Sequence, residues 1–84
     1  MICFKDIREA YEILKKVVKH TPLEKSKTFS KLTEENIYLK LENLQITGSF
    51  KIRGAYNKIY HLSKDEKKHG VVCASAGNHA QGVA

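Results

Sequence analysis

The chain has 84 residues, 42% of them hydrophobic and 29% charged, with one Pro and five Gly, a composition that excludes disordered and fibrous classes. Its net charge of +6 is carried almost wholly by lysines scattered among acids, with Arg8 and Arg53 as the arginines, so no nucleic-acid partner is expected. No apolar run approaches the roughly 20 residues of a membrane span, no signal peptide is visible, and Cys3 and Cys73 form no disulfide framework, all of which predicts a cytoplasmic protein without a membrane partner.

Ile7, Tyr11, Leu14 and Val18 recur at helical spacing, with Ala10 and Val17 beside them, and predict a helix over 6–19. Asp6 and Glu9 outline a capping box, and Lys15, Lys16 and Lys19 suit the helix's negative end. Thr21-Pro22 is expected to stop it, because proline disfavours helical backbone in the residue before it. Segment 24–35 is polar and reads as a connection docked by Phe29 and Leu32.

Ile37, Leu39 and Leu41 alternate with Tyr38, Lys40 and Glu42, which predicts a strand over 37–42 with one buried face. Gln45 to Ser49 reads as a turn, with Ser49 as the cap of a second helix over 50–62 whose stripe is Ile52, Ala55, Tyr56, Ile59 and Leu62. Ser63 and Glu66 make a capping box for a short helix closed by Gly70. Val71 to Ala74 is apolar without alternation and predicts a strand over 71–74 buried on both faces, with Cys73 packed as a small hydrophobe. From Asn78 another helix begins, over 78–84.

Strand, helix and strand in that order predict a parallel pairing and an α/β layer. Two strands cannot form a covered parallel sheet, and Ala84 falls inside a helical pattern with no stop signal. The expectation is a single truncated α/β segment, residues 1–84, from the N-terminal part of a larger protein.

Loops that follow parallel strands leave the sheet on one edge, the edge where open α/β sheets bind ligands. One such loop delivers Thr47-Gly48-Ser49-Phe50-Lys51, the other Ser75-Ala76-Gly77-Asn78-His79. Lys51 falls in the first turn of its helix, where the positive dipole end disfavours an ammonium and favours the neutral, nucleophilic amine. It is equally one of thirteen lysines, and helix-end preferences amount to only about 0.3–1 kcal/mol. Ser75, Gly77 and Asn78 suit a carboxylate-binding turn, or simply the cap of the next helix. His20, His61, His69 and His79 show no metal-ligand spacing, so no metal is expected.

The stretch Leu39-Lys40-Leu41-Glu42-Asn43-Leu44-Gln45-Ile46-Thr47-Gly48-Ser49-Phe50-Lys51-Ile52-Arg53-Gly54-Ala55 closely resembles the cofactor-lysine signature of threonine ammonia-lyases and serine racemases. Ser75-Ala76-Gly77-Asn78-His79-Ala80-Gln81-Gly82 resembles the substrate-carboxylate loop of the same family, and Thr21-Pro22-Leu23 also matches it in place. The resemblance implies an α/β fold of pyridoxal-phosphate fold type II (tryptophan synthase β-like), an open parallel sheet that is incomplete in this chain. It implies pyridoxal 5'-phosphate as cofactor, with Lys51 forming the Schiff base, Phe50 against the ring and Asn78 bonded to the ring oxygen. Ser75, Ala76, Gly77, Asn78 and His79 would hold the substrate carboxylate. The family's glycine-rich phosphate cradle, its pyridine-nitrogen partner and its allosteric tail fall outside these residues.

The implied reaction is β-elimination of threonine to 2-oxobutanoate and ammonia, or of serine to pyruvate and ammonia. Amino-acid metabolism, isoleucine biosynthesis and a homo-oligomeric full-length protein come with it, and the 84 residues alone are expected to be inactive. Alternatives within the family are a serine dehydratase or racemase and, more distantly, threonine synthase; outside it stands a basic fold remnant without catalysis. Ala76 bears on the choice, since the racemases resembled carry a serine there and alanine can neither give nor take a proton.

Overall fold

Helix α1 (Phe4–Leu14) opens the chain, which a computed structural model describes over residues 1–84. It begins before the predicted start because Asp6 is its third residue rather than its cap. The Asp6 carboxylate accepts the Cys3 N–H at 2.8 Å, and this backbone bond holds its carboxyl below the usual range. The helix ends at Leu14, short of the predicted residue 19. There the Leu14 carbonyl accepts the N–H groups of both Val17 and Val18 at 2.9 Å, tightening the chain into a turn. Thr21-Pro22 therefore lies outside the helix and does not terminate it.

The polar segment 24–35 is more ordered than its composition predicts. It supplies strand β1 (Leu23–Lys25) and helix α2 (Lys27–Thr33). The Ser26 hydroxyl caps α2 by accepting the Phe29 N–H at 3.1 Å, and Glu34 closes the helix in the left-handed region at φ 57°. Strand β2 (Tyr38–Lys40) returns antiparallel to β1, pairing Leu23 with Lys40, Glu24 with Leu39 and Lys25 with Tyr38. It is shorter than the predicted strand over 37–42, which continues instead into a 3-10 turn at Glu42–Leu44. The Ser30 hydroxyl ties α2 to the hairpin, accepting the Ile37 N–H at 2.9 Å.

Helix α3 (Lys51–Tyr60) carries the predicted stripe but stops before residue 62. Helix α4 (Lys64–His69) has the capping box read from Ser63 and Glu66: the Ser63 hydroxyl accepts the Glu66 N–H at 3.1 Å, and the Glu66 carboxylate accepts the Ser63 N–H at 2.9 Å. Gly70 follows it at φ 80°, a backbone glycine adopts without strain. Helix α5 (Asn78–Val83) ends the chain.

Residues 71–74 differ most from expectation. They form no ladder; Val71 is 48% and Val72 99% exposed, and Cys73 is exposed as well. The β1–β2 ladder is the whole sheet, and it is antiparallel, so no parallel pair forms within these residues. Two helix packings shape the rest, α1 on α3 and α3 on α5.

Four residues are buried: Leu14 of α1, Ala55 of α3, and the polar pair Thr21 and Gln45. The radius of gyration is 16.0 Å, against about 12 Å for a compact domain of this length. The interior is thus organised around polar side chains as much as apolar ones. No helix is long and apolar enough to cross a membrane.

Candidate active site

Lys51 is the first residue of α3, following a loop that the chain builds in defined steps. The 3-10 turn at Glu42–Leu44 leads into a second turn in which Gly48 N–H meets the Gln45 carbonyl at 2.9 Å. Gly48 sits at φ 75°, the left-handed region that favours glycine. Phe50, not Ser49, is the residue that caps α3. Ser49 still contributes, since its hydroxyl accepts the Lys51 N–H at 3.3 Å.

The Lys51 side chain is exposed, with Nζ 5.5 Å from the centre of the Phe50 ring, which is itself 59% exposed. None of the three surface clefts includes Lys51.

No parallel strands bring the two predicted site segments together; the contact between their regions of chain is one of helix on helix. Helix α5 packs on α3, and Gly82 comes close to the start of that helix. A Cβ placed on Gly82 would stand 3.2 Å from the carbonyl carbon and oxygen of Lys51 and from the Ile52 nitrogen. Asn78 lies one turn before Gly82, about 6 Å along the helix axis. The glycine's contribution was not legible beforehand; a glycine inside a short helix was its only signal.

Residues 75–79 are all exposed. Gly77 precedes α5 as its cap, and its N–H is bonded to the Ser75 hydroxyl at 3.2 Å. The turn folds on itself, and Ser75 orders it by binding a neighbour's backbone. His79 lies on α5 and, with Ile59, Leu62, Val72 and Cys73, lines an apolar cleft of about 300 Å³ beside α3.

Sequence reasoning missed a polar cluster behind Lys51. The Glu42 Oε1 atom accepts from Arg53 Nε at 3.0 Å, Arg53 Nη2 at 2.7 Å and the Thr21 hydroxyl at 3.0 Å. The Arg53 guanidinium, aided by Thr21 and Gln45, holds the Glu42 carboxyl below its ordinary value. Gln45, 5% exposed, pairs with the Lys19 backbone in both directions: its Nε2 donates to the Lys19 carbonyl at 2.6 Å, and its Oε1 accepts the Lys19 N–H at 3.0 Å. An acid at a strand end followed by one of only two arginines was the available signal.

The donor set suits a ring-bearing carbonyl cofactor: a primary amine, an aromatic face beside it, and an amide carried on a helix pressed against the lysine's own backbone. The same assignment comes from related proteins. The sequence profile of the family described as pyridoxal-phosphate dependent enzyme matches residues 14–84. L-threonine ammonia-lyase of Thermotoga maritima is 66% identical over 84 residues, 100% of this chain and 21% of that protein. The biosynthetic L-threonine dehydratase IlvA of Bacillus subtilis is 55% identical over 84 residues, 100% of this chain and 20% of its own length. The crystal structure of serine racemase from Dictyostelium discoideum superposes with a TM-score of 0.87 at 44% identity, covering 98% of this chain and 27% of that one. The chain thus spans about a fifth of the length of the curated relatives it matches. The fold is accordingly a small part of the fold-type II architecture. On the matching profile, these residues belong to the family of pyridoxal-phosphate dependent enzymes.

Proposed function

We propose that these residues are the cofactor-lysine segment of a pyridoxal-phosphate-dependent threonine ammonia-lyase. It removes water across Cα and Cβ of threonine, and the released amino-alkene takes up water to give 2-oxobutanoate and ammonia. Serine gives pyruvate and ammonia by the same route. The observation that carries this reading is the 66% identity with the Thermotoga maritima ammonia-lyase across all 84 residues. The biosynthetic name of the Bacillus subtilis relative supports supply of the 2-oxo acid to isoleucine biosynthesis.

Pyridoxal phosphate, when bound, supplies an electron sink for the electron pair left at Cα. Lys51 would anchor the cofactor covalently, and its amine, when free, would take the α-proton as general base. Phe50 would lie against the ring, and the Asn78 amide would hydrogen-bond the ring oxygen. Ser75 to His79 hold the substrate carboxylate through backbone N–H groups, a role consistent with the exposed turn before α5. Ala76 offers no proton to the opposite face of Cα, which favours elimination over racemisation even though a serine racemase shares this fold.

The test is a chimera in which this chain replaces the matched segment of the Thermotoga maritima enzyme. It should release 2-oxobutanoate from threonine, and borohydride should fix the cofactor to Lys51, as located by peptide mapping. Lys51→Ala should abolish the fixed label and lower kcat by about 10²–10⁴-fold. Cofactor binding without 2-oxo acid release would overturn the ammonia-lyase reading, and a label elsewhere would overturn the role of Lys51.

A further inference from the structure

Both buried polar residues, Thr21 and Gln45, hydrogen-bond at the loop that ends in Lys51, Thr21 to the Glu42 side chain and Gln45 to the Lys19 backbone. The loop's start is fixed at Glu42, where one carboxylate oxygen takes two N–H groups of Arg53 and the hydroxyl of Thr21. Its middle is fixed at Gln45, which grips the backbone of Lys19. The pair Glu42–Arg53 also ties the loop's beginning to α3, two residues past Lys51. Successive helical residues are turned by about 100°, so Arg53 and Lys51 project on nearly opposite sides of α3. Holding Arg53 toward Glu42 therefore sets which way Lys51 faces.

We propose that Glu42, Arg53 and Thr21 are positioning residues for Lys51: together they fix the rotation of the first turn of α3 and hence the direction of the lysine amine. This rests on the function proposed above for Lys51. The side chains of Glu42 and Arg53 are 15% and 32% exposed, so the pair is sheltered enough to resist screening. Misplacing a reacting group by about 1 Å can cost roughly 10²-fold in rate, which is why an anchor behind the helix matters.

The test uses the Thermotoga maritima chimera with Glu42→Gln, Arg53→Lys and Thr21→Val. Leu14→Ala serves as a control that removes the buried apolar side chain of α1 and none of the cluster's hydrogen-bonding groups. Glu42→Gln should lower kcat by roughly 10- to 100-fold while KM for threonine stays within about twofold, because the carboxylate turn at 75–79 is untouched. Arg53→Lys, which keeps the charge but loses the fork, should recover part of that loss. In the cofactor-free protein, hydrogen exchange at the Gly48 and Lys51 amides should rise about tenfold in Glu42→Gln and stay unchanged in Leu14→Ala.

A kcat loss in Leu14→Ala equal to that of Glu42→Gln at matched thermal midpoint would overturn the proposal, as would parent-like kcat in Glu42→Gln. If Glu42→Gln fails to fold, Thr21→Val decides, since it deletes one donor at nearly constant shape. An inactive parent chimera would count against the ammonia-lyase reading alone, and the amide exchange would still decide the positioning role.

Discussion

Gly82 of α5 lies against the peptide carbonyl of Lys51, so closely that any side chain at 82 would press on the lysine's own backbone. A Cβ there falls 3.2 Å from three backbone atoms, which cannot swing aside as a flexible side chain could. Gly82→Ala in the chimera should therefore destabilise by about 1–3 kcal/mol. It should also reduce the borohydride-fixed label on Lys51. A thermal midpoint equal to the parent's would show that the two helices separate freely.

Glu42 gives a pH-dependent prediction. Arg53 first, then Thr21 and Gln45, holds its carboxyl below the ordinary value of 4.5. A group with a lowered folded pKa stabilises fully above its unfolded value, and that contribution is lost as pH falls through the folded one. The midpoint difference between parent chimera and Glu42→Gln should thus be constant at neutral pH and shrink below 4.5. A difference that widens in acid would refute the assigned sign.

Ser30 joins helix α2 to the hairpin through one hydroxyl that accepts the Ile37 N–H at 2.9 Å. Ser30→Ala leaves that part-buried donor without its partner and should cost about 1–3 kcal/mol in a denaturant titration of the chimera. A loss below about 0.3 kcal/mol would mean that water replaces the hydroxyl without penalty.

Ala76→Ser places a hydroxyl in the turn before α5. In the chimera it should raise racemisation of serine relative to elimination, read by chiral chromatography of the unreacted amino acid. Unchanged D-serine formation would remove position 76 from the choice between the two reactions.

Features encoded by neighbouring residues were legible in the sequence. Ser63 and Glu66 sit three positions apart and cap α4 as their spacing predicts. The stripe of α3 and the placement of Lys51 in its first turn follow from local periodicity too. Helix α2 was not legible, because KTFSKLT has little apolar face and depends on Ser26, Glu34 and Ser30 for its ends and anchorage. Strand β1 was hidden for a similar reason: three residues of mixed character become a strand only through pairing with β2.

The apolar run 71–74 illustrates the opposite error. Its composition favours a strand, yet a strand exists only where a neighbour receives its backbone bonds, and here β1 and β2 pair with each other instead. Of the candidate site, Lys51 at the start of one helix and residues 75–77 leading into another were anticipated, but not the packing of those two helices. That packing sets Gly82 against the Lys51 backbone, a contact between residues far apart in the chain. The cluster of Thr21, Glu42 and Arg53 is equally non-local, so no window of neighbouring residues displays it.

The side chain of Gln45 meets Lys19 as a short piece of β-ladder would, one donor and one acceptor facing their complements. That arrangement makes the turn sensitive to ageing chemistry at a single carboxamide. Hydrolytic deamidation would replace the donating nitrogen with a negatively charged oxygen facing the Lys19 carbonyl, turning attraction into repulsion. At 5% exposure Gln45 is largely shielded from the water that such damage requires, so the fold protects the bond on which its own turn depends.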